Sequence, residues 1–324
     1  MSVPENILQN RINFHSLYIA DADAEIERLG YDDNNQIWHR ARLFAKNITS
    51  RYTEFDHHIS LYEYDLQELW YRIVQGAKII DANHPAQDRL AGQVAHIKAM
   101  GILSRTIPSP QHGNDMAGGE SAEMALTSKG RIWVDLPFLI DEIRKAWAKE
   151  MPARQRYNFS SFTARLASWG ICAPDLCIYA IWILRDTLEL SRPLASSSIS
   201  SSDTQNDGVE CKQEQEPSIA SLLPAAIAWF EHCGYKIESL SIANQDYESS
   251  TIGVLAKASK VLPSSGFSMS RWLFWKSRLE EISHTDEREV ADLASRGSRI
   301  MSFWGERIER IQRRQGGVEE SIYV

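Results

Sequence analysis

The stretch EFDHHISLYEYDLQELWYRIVQGAKIID, residues 54–81, carries the clearest apolar spacing in the chain. Its apolar side chains recur at steps of three and four residues, the period of an amphipathic α-helix. They are Phe55, Ile59, Tyr62, Leu66, Leu69, Ile73, Ala77 and Ile80. The pattern predicts one helix from Glu54 to Asp81, about 40 Å long at roughly 1.5 Å per residue.

The same period recurs on both sides of this stretch and predicts further helices. Asp33 followed by Gln36 resembles a capping box before an apolar face. Gly234 is expected to close the helix that begins at Ile219, and Gly170 to end another in a left-handed conformation. About eight or nine helices without an alternating strand pattern predict an all-α fold, a multi-helix bundle rather than a regular solenoid.

Two stretches interrupt the helical pattern. Residues 191–217 contain many Ser and almost no apolar side chains, which predicts a flexible low-complexity insertion. Residues 104–130 are rich in Pro and Gly and predict a long loop. Arg131 to Asp135 resembles a short strand, without an obvious partner strand. We therefore expect a single helical domain over 1–324, with a core over about 33–311.

Composition and charge restrict the class of protein. The chain has 324 residues, 43% hydrophobic and 24% charged, which is ordinary globular usage. A net charge of −8 counts against binding to nucleic acid. The longest apolar run, Leu222 to Phe230, is too short for a membrane span of about 20 residues. Four Cys and the lack of a secretory signal predict an intracellular protein, in the cytoplasm or nucleus.

Four segments, taken in their order and spacing, are similar to a known family. They are DLQELWYRIVQGAKII (Asp65–Ile80) with HPAQDRL after it, LPFLIDEIRKAW (Leu136–Trp147), FSSFTARLASWGI with IYAIWILRDTLE (Phe159–Glu189), and GFSMSRWLFWKSRLEEI (Gly266–Ile282). Together they resemble a filamentous-fungal family, domain of unknown function 3632, over about Glu54 to Ile311. The resemblance implies a helical, intracellular fungal protein and supplies no catalytic residues.

The densest group of acid, base or ligand side chains is Glu54, Asp56, His57 and His58. On the predicted helix Glu54 and His58 share one side, so they are candidates for a site. The alternative is a solvated first turn whose acids favour the positive end of the helix. The catalytic residues are unknown, and the candidates are His57, His58, Glu54, Tyr62 and Arg185.

Other possible sites have simpler structural interpretations. Asp32 and Asp33 lack the second carboxylate that a helical metal motif needs, so they are expected to cap a helix. The four Cys show no paired CxxC spacing, which favours buried or inert thiols. No phosphate-binding loop, nucleophile elbow or dinucleotide fingerprint occurs. We therefore expect no metal and no cofactor.

Large aromatic and basic side chains are the remaining features. The ten Trp are expected to pack between helices rather than to line a ligand pocket. Arg185 and Glu189 are spaced for an ion pair on a helix expected to be in the core. The last helix is basic, which indicates a solvated face or a docking site for an acidic partner or RNA. Its charged residues are Arg299, Glu306, Arg307, Glu309, Arg310, Arg313 and Arg314.

These observations predict a binding protein with a Trp-rich helical core, whose partner is an unknown protein or a small apolar ligand. The alternative is an enzyme of fungal specialised metabolism without a familiar motif, acting on an apolar small molecule in a helical pocket. A closed cavity that receives the candidate side chains would favour the enzyme or a ligand carrier. A filled core with an exposed apolar groove would favour partner binding.

Overall fold

The computed structural model describes residues 34–108, 120–195, 216–247, 251–259 and 265–320. These residues contain ten α-helices, one π-helical turn and two short strand pairs, so the predicted all-α class is confirmed. Asp32, Asp33 and most of the Ser-rich insertion lie outside the described residues.

The chain divides into two compact units, Met1–Phe162 and Thr163–Val324, and the division falls inside a helix. The single helical domain remains a prediction. The first unit holds four helices and the start of a fifth: α1 Asn34–Glu54, α2 Ser60–Ile79, α3 Pro85–Ala99, α4 Leu139–Trp147 and α5 Ala153–Ser168.

The helix predicted from Glu54 to Asp81 begins six residues later, at Ser60. Residues 55–59 form a turn between α1 and α2. The apolar spacing continues through this turn, because Ile59 is still half-buried beside the helix start. Phe55, the first apolar residue of the predicted face, is exposed. Periodicity therefore located the buried face correctly from Ile59 onward and placed the helix start too early.

Residues 104–130 were expected to form a long loop, and this prediction is wrong in part. Strand β1 (Ser104–Pro108) pairs antiparallel with β2 (Glu120–Met124), and β3 (Leu126–Thr127) pairs with β4 (Gly130–Arg131). The strands are short, and the nearby Pro and Gly residues predict loops, so the alternation of apolar and polar side chains is not visible in the sequence. Of the stretch 131–135, only Arg131 lies in a strand.

Asp135 closes the turn after β4. Its Oδ2 accepts the main-chain N–H and the Nε–H of Arg131, each at 2.9 Å. Hydrogen bonds from the side chain and main chain of Arg131 lower the pKa of Asp135 to about 2. The carboxylate is therefore charged at neutral pH and fixes this turn.

The second unit contains the rest of α5, five further helices and the π-helical turn. These are α6 Ala173–Leu184, the π-helical turn Arg185–Glu189, α7 Ile219–Ile242, α8 Val254–Ala258, α9 Met269–Ile282 and α10 Arg288–Glu320. Ser218 and Ser268 cap α7 and α9 by accepting the main-chain N–H of Ser221 and Arg271. Gly170 has φ +77, so the predicted left-handed helix end is confirmed.

The two ends of the Ser-rich insertion are hydrogen-bonded to each other. The N–H groups of Ile219 and Ala220 donate to the carbonyl oxygens of Pro193 and Leu194, each at 2.9 Å. These bonds satisfy donors at the first turn of α7 that have no partner within the helix. The insertion therefore departs from and returns to one place in the second unit.

Tryptophan packing dominates the cores of both units. Trp70 donates from Nε1 to the carbonyl oxygen of Pro137 at 2.7 Å. Five Trp are less than 2% exposed: Trp70, Trp133, Trp229, Trp272 and Trp275. Among the described helices, none combines the length and apolar content that a membrane crossing requires.

Candidate functional site

Arg105 of β1 holds the turn that contains the predicted acid and histidine cluster. Its Nη1 donates to the carbonyl oxygens of Phe55 at 2.9 Å and His57 at 3.0 Å. Its Nη2 lies 3.1 Å from Asp56 Oδ1, and its Nε donates to Glu123 Oε2 at 2.6 Å. These carbonyl oxygens accept from a guanidinium rather than from the N–H groups of a continuing helix. The helix is therefore interrupted between α1 and α2.

Glu54, His57 and His58 are exposed, and the two histidines contact different partners. The His57 ring stacks on Phe55 with 5.5 Å between centroids. His58 Nδ1 lies 2.8 Å from Ser60 Oγ and accepts the N–H of Ser60, the first residue of α2, at 3.3 Å. The expectation that Glu54 and His58 share a helical side is wrong, because the turn separates them. In the described part of the chain, no group of three or more His, Cys, Asp or Glu is arranged to hold a metal ion.

Tyr62, another candidate, is buried in the first unit. Its hydroxyl donates to the carbonyl oxygen of Arg51 at 2.9 Å, and its ring meets Tyr52 edge-on with 5.5 Å between centroids. Burial raises the pKa of Tyr52, and the nearby Glu123 carboxylate adds to the rise. Tyr52 is therefore protonated at neutral pH, and Tyr62 packs against it.

A shallow groove of about 340 Å³ follows one face of α1. Its lining combines one apolar side chain with polar and charged ones: Leu43, Lys46, Asn47, Ser50, Arg51 and Glu54. Arg51 is paired with Asp65 at 2.9 Å. Glu54 is thus the one sequence candidate that lines this groove, and neither histidine does.

Arg185 lies in the second unit, in the π-helical turn. Its Nε and Nη2 donate to Asp186 Oδ1 at 2.8 and 2.7 Å, and its Nη1 donates to Thr251 Oγ1 at 2.7 Å. The expected pair between Arg185 and Glu189 is wrong. The four-residue spacing applies to an α-helix, whereas π-helical winding changes which side chains meet.

Glu189, Arg271 and Trp275 form a buried polar group, which we call the Glu189 hub. Arg271 Nε donates to Glu189 Oε1 at 2.6 Å, and Arg271 Nη2 to Oε2 at 3.1 Å. Trp275 Nε1 also donates to Oε1, at 2.7 Å. The Glu189 and Arg271 side chains are 0% and 2% exposed, so the pair is removed from water.

The Glu189 hub fixes two loop segments of the second unit. The Gly253 N–H donates to Glu189 Oε2 at 2.8 Å, and Arg271 donates to the carbonyl oxygens of Thr251 at 3.0 Å and Gly266 at 2.9 Å. A Cβ on Gly253 would lie 2.5 Å from the Glu189 carbonyl oxygen, so glycine is required for this approach. The carboxylate accepts four N–H bonds and has no lone pair left for a substrate.

Cys177 and Cys233 form a buried thiol pair in the same unit. A hydrogen bond with Cys177, together with burial, raises the pKa of the Cys233 thiol. A thiol that stays protonated is a poor nucleophile and a poor metal ligand. The Cys233 thiol therefore stays protonated at neutral pH, and both thiols are buried.

Tyr235 of α7 with Phe303 and Trp304 of α10 form an exposed aromatic cluster, which we call the aromatic surface. Ring centroids are 6.1 Å apart for Tyr235 and Trp304, and 5.0 Å apart for Phe303 and Trp304. Phe303 is 69% exposed and Tyr235 58% exposed. Large contiguous aromatic groups in water are typical of interaction sites.

Gly234 allows Trp304 to lie against α7. A Cβ at Gly234 would be 2.4 Å from Trp304 Cδ1, so any larger residue displaces the indole. The prediction that Gly234 closes the helix is wrong, since α7 continues to Ile242. This glycine serves close helix packing and thereby positions the aromatic surface.

The family model described as protein of unknown function (DUF3632) matches residues 70–279. The chain belongs to this family. A relative from Penicillium oxalicum, described as oxopyrrolidines biosynthesis cluster protein G, is 27% identical over 274 residues, which are 79% of this chain and 70% of the relative. No solved structure matches the chain. The resemblance seen in the sequence is thus confirmed.

The DUF3632 match covers the Glu189 hub and Tyr235, whereas Phe303 and Trp304 follow it. Sequence reasoning missed both groups. The Glu189 hub had a signal, an arginine beside two Trp at the start of α9. The aromatic surface had a weaker one, a glycine inside an apolar helix pattern.

Proposed function

We propose that this DUF3632 protein acts by binding another protein through the aromatic surface. The observation that carries this proposal is the exposure of Phe303 and Tyr235 beside Trp304 on two helices of one unit. Exposed aromatic side chains supply much of the binding energy at protein interfaces, because they bury large apolar areas at a small entropic cost.

The packing of the described residues supports a binding function over a catalytic one. The fully buried Trp are used between helices. The Glu189 hub has its carboxylate saturated, and the Cys177 and Cys233 thiols are buried. Among the large apolar side chains of the second unit that face water, which also include Trp169 and Val254, Tyr235 and Phe303 are the two that flank one further ring, Trp304.

The relative from Penicillium oxalicum gives the proposal a biological setting. Its description places that protein in an oxopyrrolidines biosynthesis cluster. We extend this setting to the present chain and propose that its partner is a protein of fungal specialised metabolism.

The same description favours a second candidate function, an enzyme that acts on an apolar small molecule. In that case the chain would retain a metabolite through purification. Substitution of Glu54, His57 or His58 would then cause loss of this metabolite. Glu54 lines the groove on α1, whereas His57 and His58 do not.

The proposal is tested by affinity capture from a fungal lysate, with proteins and small molecules identified together by mass spectrometry. Wild type is compared with Phe303→Ser and with Leu126→Ser, a control that removes an apolar side chain of similar exposure, 58%, from the first unit. We expect a protein that is lost with Phe303→Ser and retained with Leu126→Ser. A metabolite that stays bound, without any captured protein that is lost with Phe303→Ser, would favour the enzyme.

A further inference from the structure

Uncompensated positive charge borders the aromatic surface. Arg299 lies one helical turn before Phe303 on α10 and is exposed. Its Nη1 donates to Ser295 Oγ at 3.2 Å, and within the described ranges it has no carboxylate partner.

Two acids near the aromatic surface are paired with other arginines. Glu231 lies 2.9 Å from Arg296, and Glu306 lies 3.6 Å from Arg310. These pairs leave the charge of Arg299 without an acid of its own.

The middle of α10 has the same sign of charge, although the whole helix has seven Arg against six Asp or Glu. From Arg296 to Arg314 it contains six Arg and two Glu, a formal charge of +4, whereas the whole chain carries −8. A locally basic segment on an acidic protein selects for acidic partners by attraction and disfavours basic ones by repulsion.

We infer that the aromatic surface binds an acidic segment of a partner protein that also carries apolar side chains. This inference rests on the proposed function and names the partner's chemistry. An apolar side chain of the segment packs on Phe303 and Tyr235, while a carboxylate pairs with Arg299. Single-stranded RNA would use arginine and aromatic stacking as well, but the chain's net charge of −8 disfavours it.

The test uses four labelled probes and fluorescence anisotropy with the full chain. The first probe is a short synthetic peptide of Glu, Asp, Leu and Phe. The second replaces its acids with Lys, the third replaces Leu and Phe with Ser, and the fourth is a single-stranded RNA. Binding of the first probe alone, weakened by added salt, is the expected result.

Two substitutions locate the binding on the protein. Phe303→Ser and Arg299→Glu are each expected to weaken binding of the acidic peptide about tenfold, because each removes one main contact of the proposed complex. Arg288→Glu is the control, because Arg288 lies on the same helix and its side chain is 93% exposed. It should bind like wild type, since an acid at a helix start is well tolerated.

Several outcomes would overturn the inference: equal binding of the basic peptide or RNA, no binding of the acidic peptide, or no effect of Arg299→Glu. These outcomes leave the proposed function intact if lysate capture still depends on Phe303. Capture that does not depend on Phe303 removes the proposed function itself.

Discussion

The Glu189 hub and the aromatic surface use the same kinds of residues in opposite environments. Each combines arginine with large aromatic side chains, and both belong to the second unit. In the Glu189 hub the charges and the indole N–H are satisfied internally, and the groups are buried. At the aromatic surface the Phe303 and Tyr235 rings and Arg299 face water, and Trp304 is half-buried.

This difference separates residues that maintain the fold from residues available to a partner. A saturated buried ion pair contributes by avoiding the cost of an unpaired charge, so its loss is a loss of stability. An exposed aromatic ring contributes little to the stability of the fold, so its exposure to water indicates a role in binding. The two regions should therefore respond oppositely to substitution.

The largest expected effect is at the Glu189 hub. Arg271→Met leaves the Glu189 carboxylate buried without its cation and should cost about 3–5 kcal/mol in the free energy of unfolding. Urea denaturation measures this cost. Arg185→Met is the control and should cost about 1 kcal/mol or less, because the Arg185 side chain is 24% exposed.

The double variant Glu189→Leu with Arg271→Met sharpens this prediction. It removes both charges, so it should recover part of the stability lost in Arg271→Met. A cost below about 1 kcal/mol for Arg271→Met would mean that the Glu189 hub is not what maintains the fold.

The next effect is at the glycine beneath the aromatic surface. Gly234→Ala should cost about 1–3 kcal/mol, because the new Cβ meets the Trp304 ring. Gly92→Ala is the matched control within another helix. Its added Cβ meets nothing within 4 Å, so it should stabilise the protein by about 0.4–1 kcal/mol. Equal thermal stability of the two variants would contradict the packing of Trp304 against α7.

A smaller effect is expected in the predicted histidine cluster. His58→Ala removes an acceptor for the Ser60 N–H and should cost about 0.5–1 kcal/mol, the net value of one hydrogen bond. Partner binding should not change. Calorimetric melting and lysate capture check these two expectations, and loss of capture would return His58 to the functional site.

The smallest effect on stability belongs to the aromatic surface. Phe303→Ser should change the free energy of unfolding by no more than about 0.5 kcal/mol, because the side chain is 69% exposed. Binding to the captured partner should fall by about tenfold. A variant that unfolds easily would assign Phe303 to the fold instead of to recognition.

The sequence predicted the helical class well, because apolar side chains at helical spacing lie on buried faces whichever neighbour covers them. The left-handed helix end at Gly170 was also predicted, because the conformation of a helix end depends on local sequence. The predicted start of α2 was wrong because Arg105, distant in sequence, binds carbonyl oxygens of the preceding turn.

The two informative regions depend on contacts that spacing does not encode. Glu189 meets Arg271 across 82 residues of sequence, and Trp304 meets Gly234 across two helices. Both pairs arise from tertiary packing, and a single sequence carries no signal for which distant side chains meet. The exposed positions of His57 and His58 follow from the turn, which the helical pattern concealed.

Hydrogen exchange with and without the acidic peptide measures most directly whether the functional site faces outward. We expect slower exchange at the backbone amides of residues 234–238 and 296–306, with no change at residues 54–62. Protection confined to residues 54–62, or none on α7 and α10 while the peptide is bound, would rule out binding at the aromatic surface.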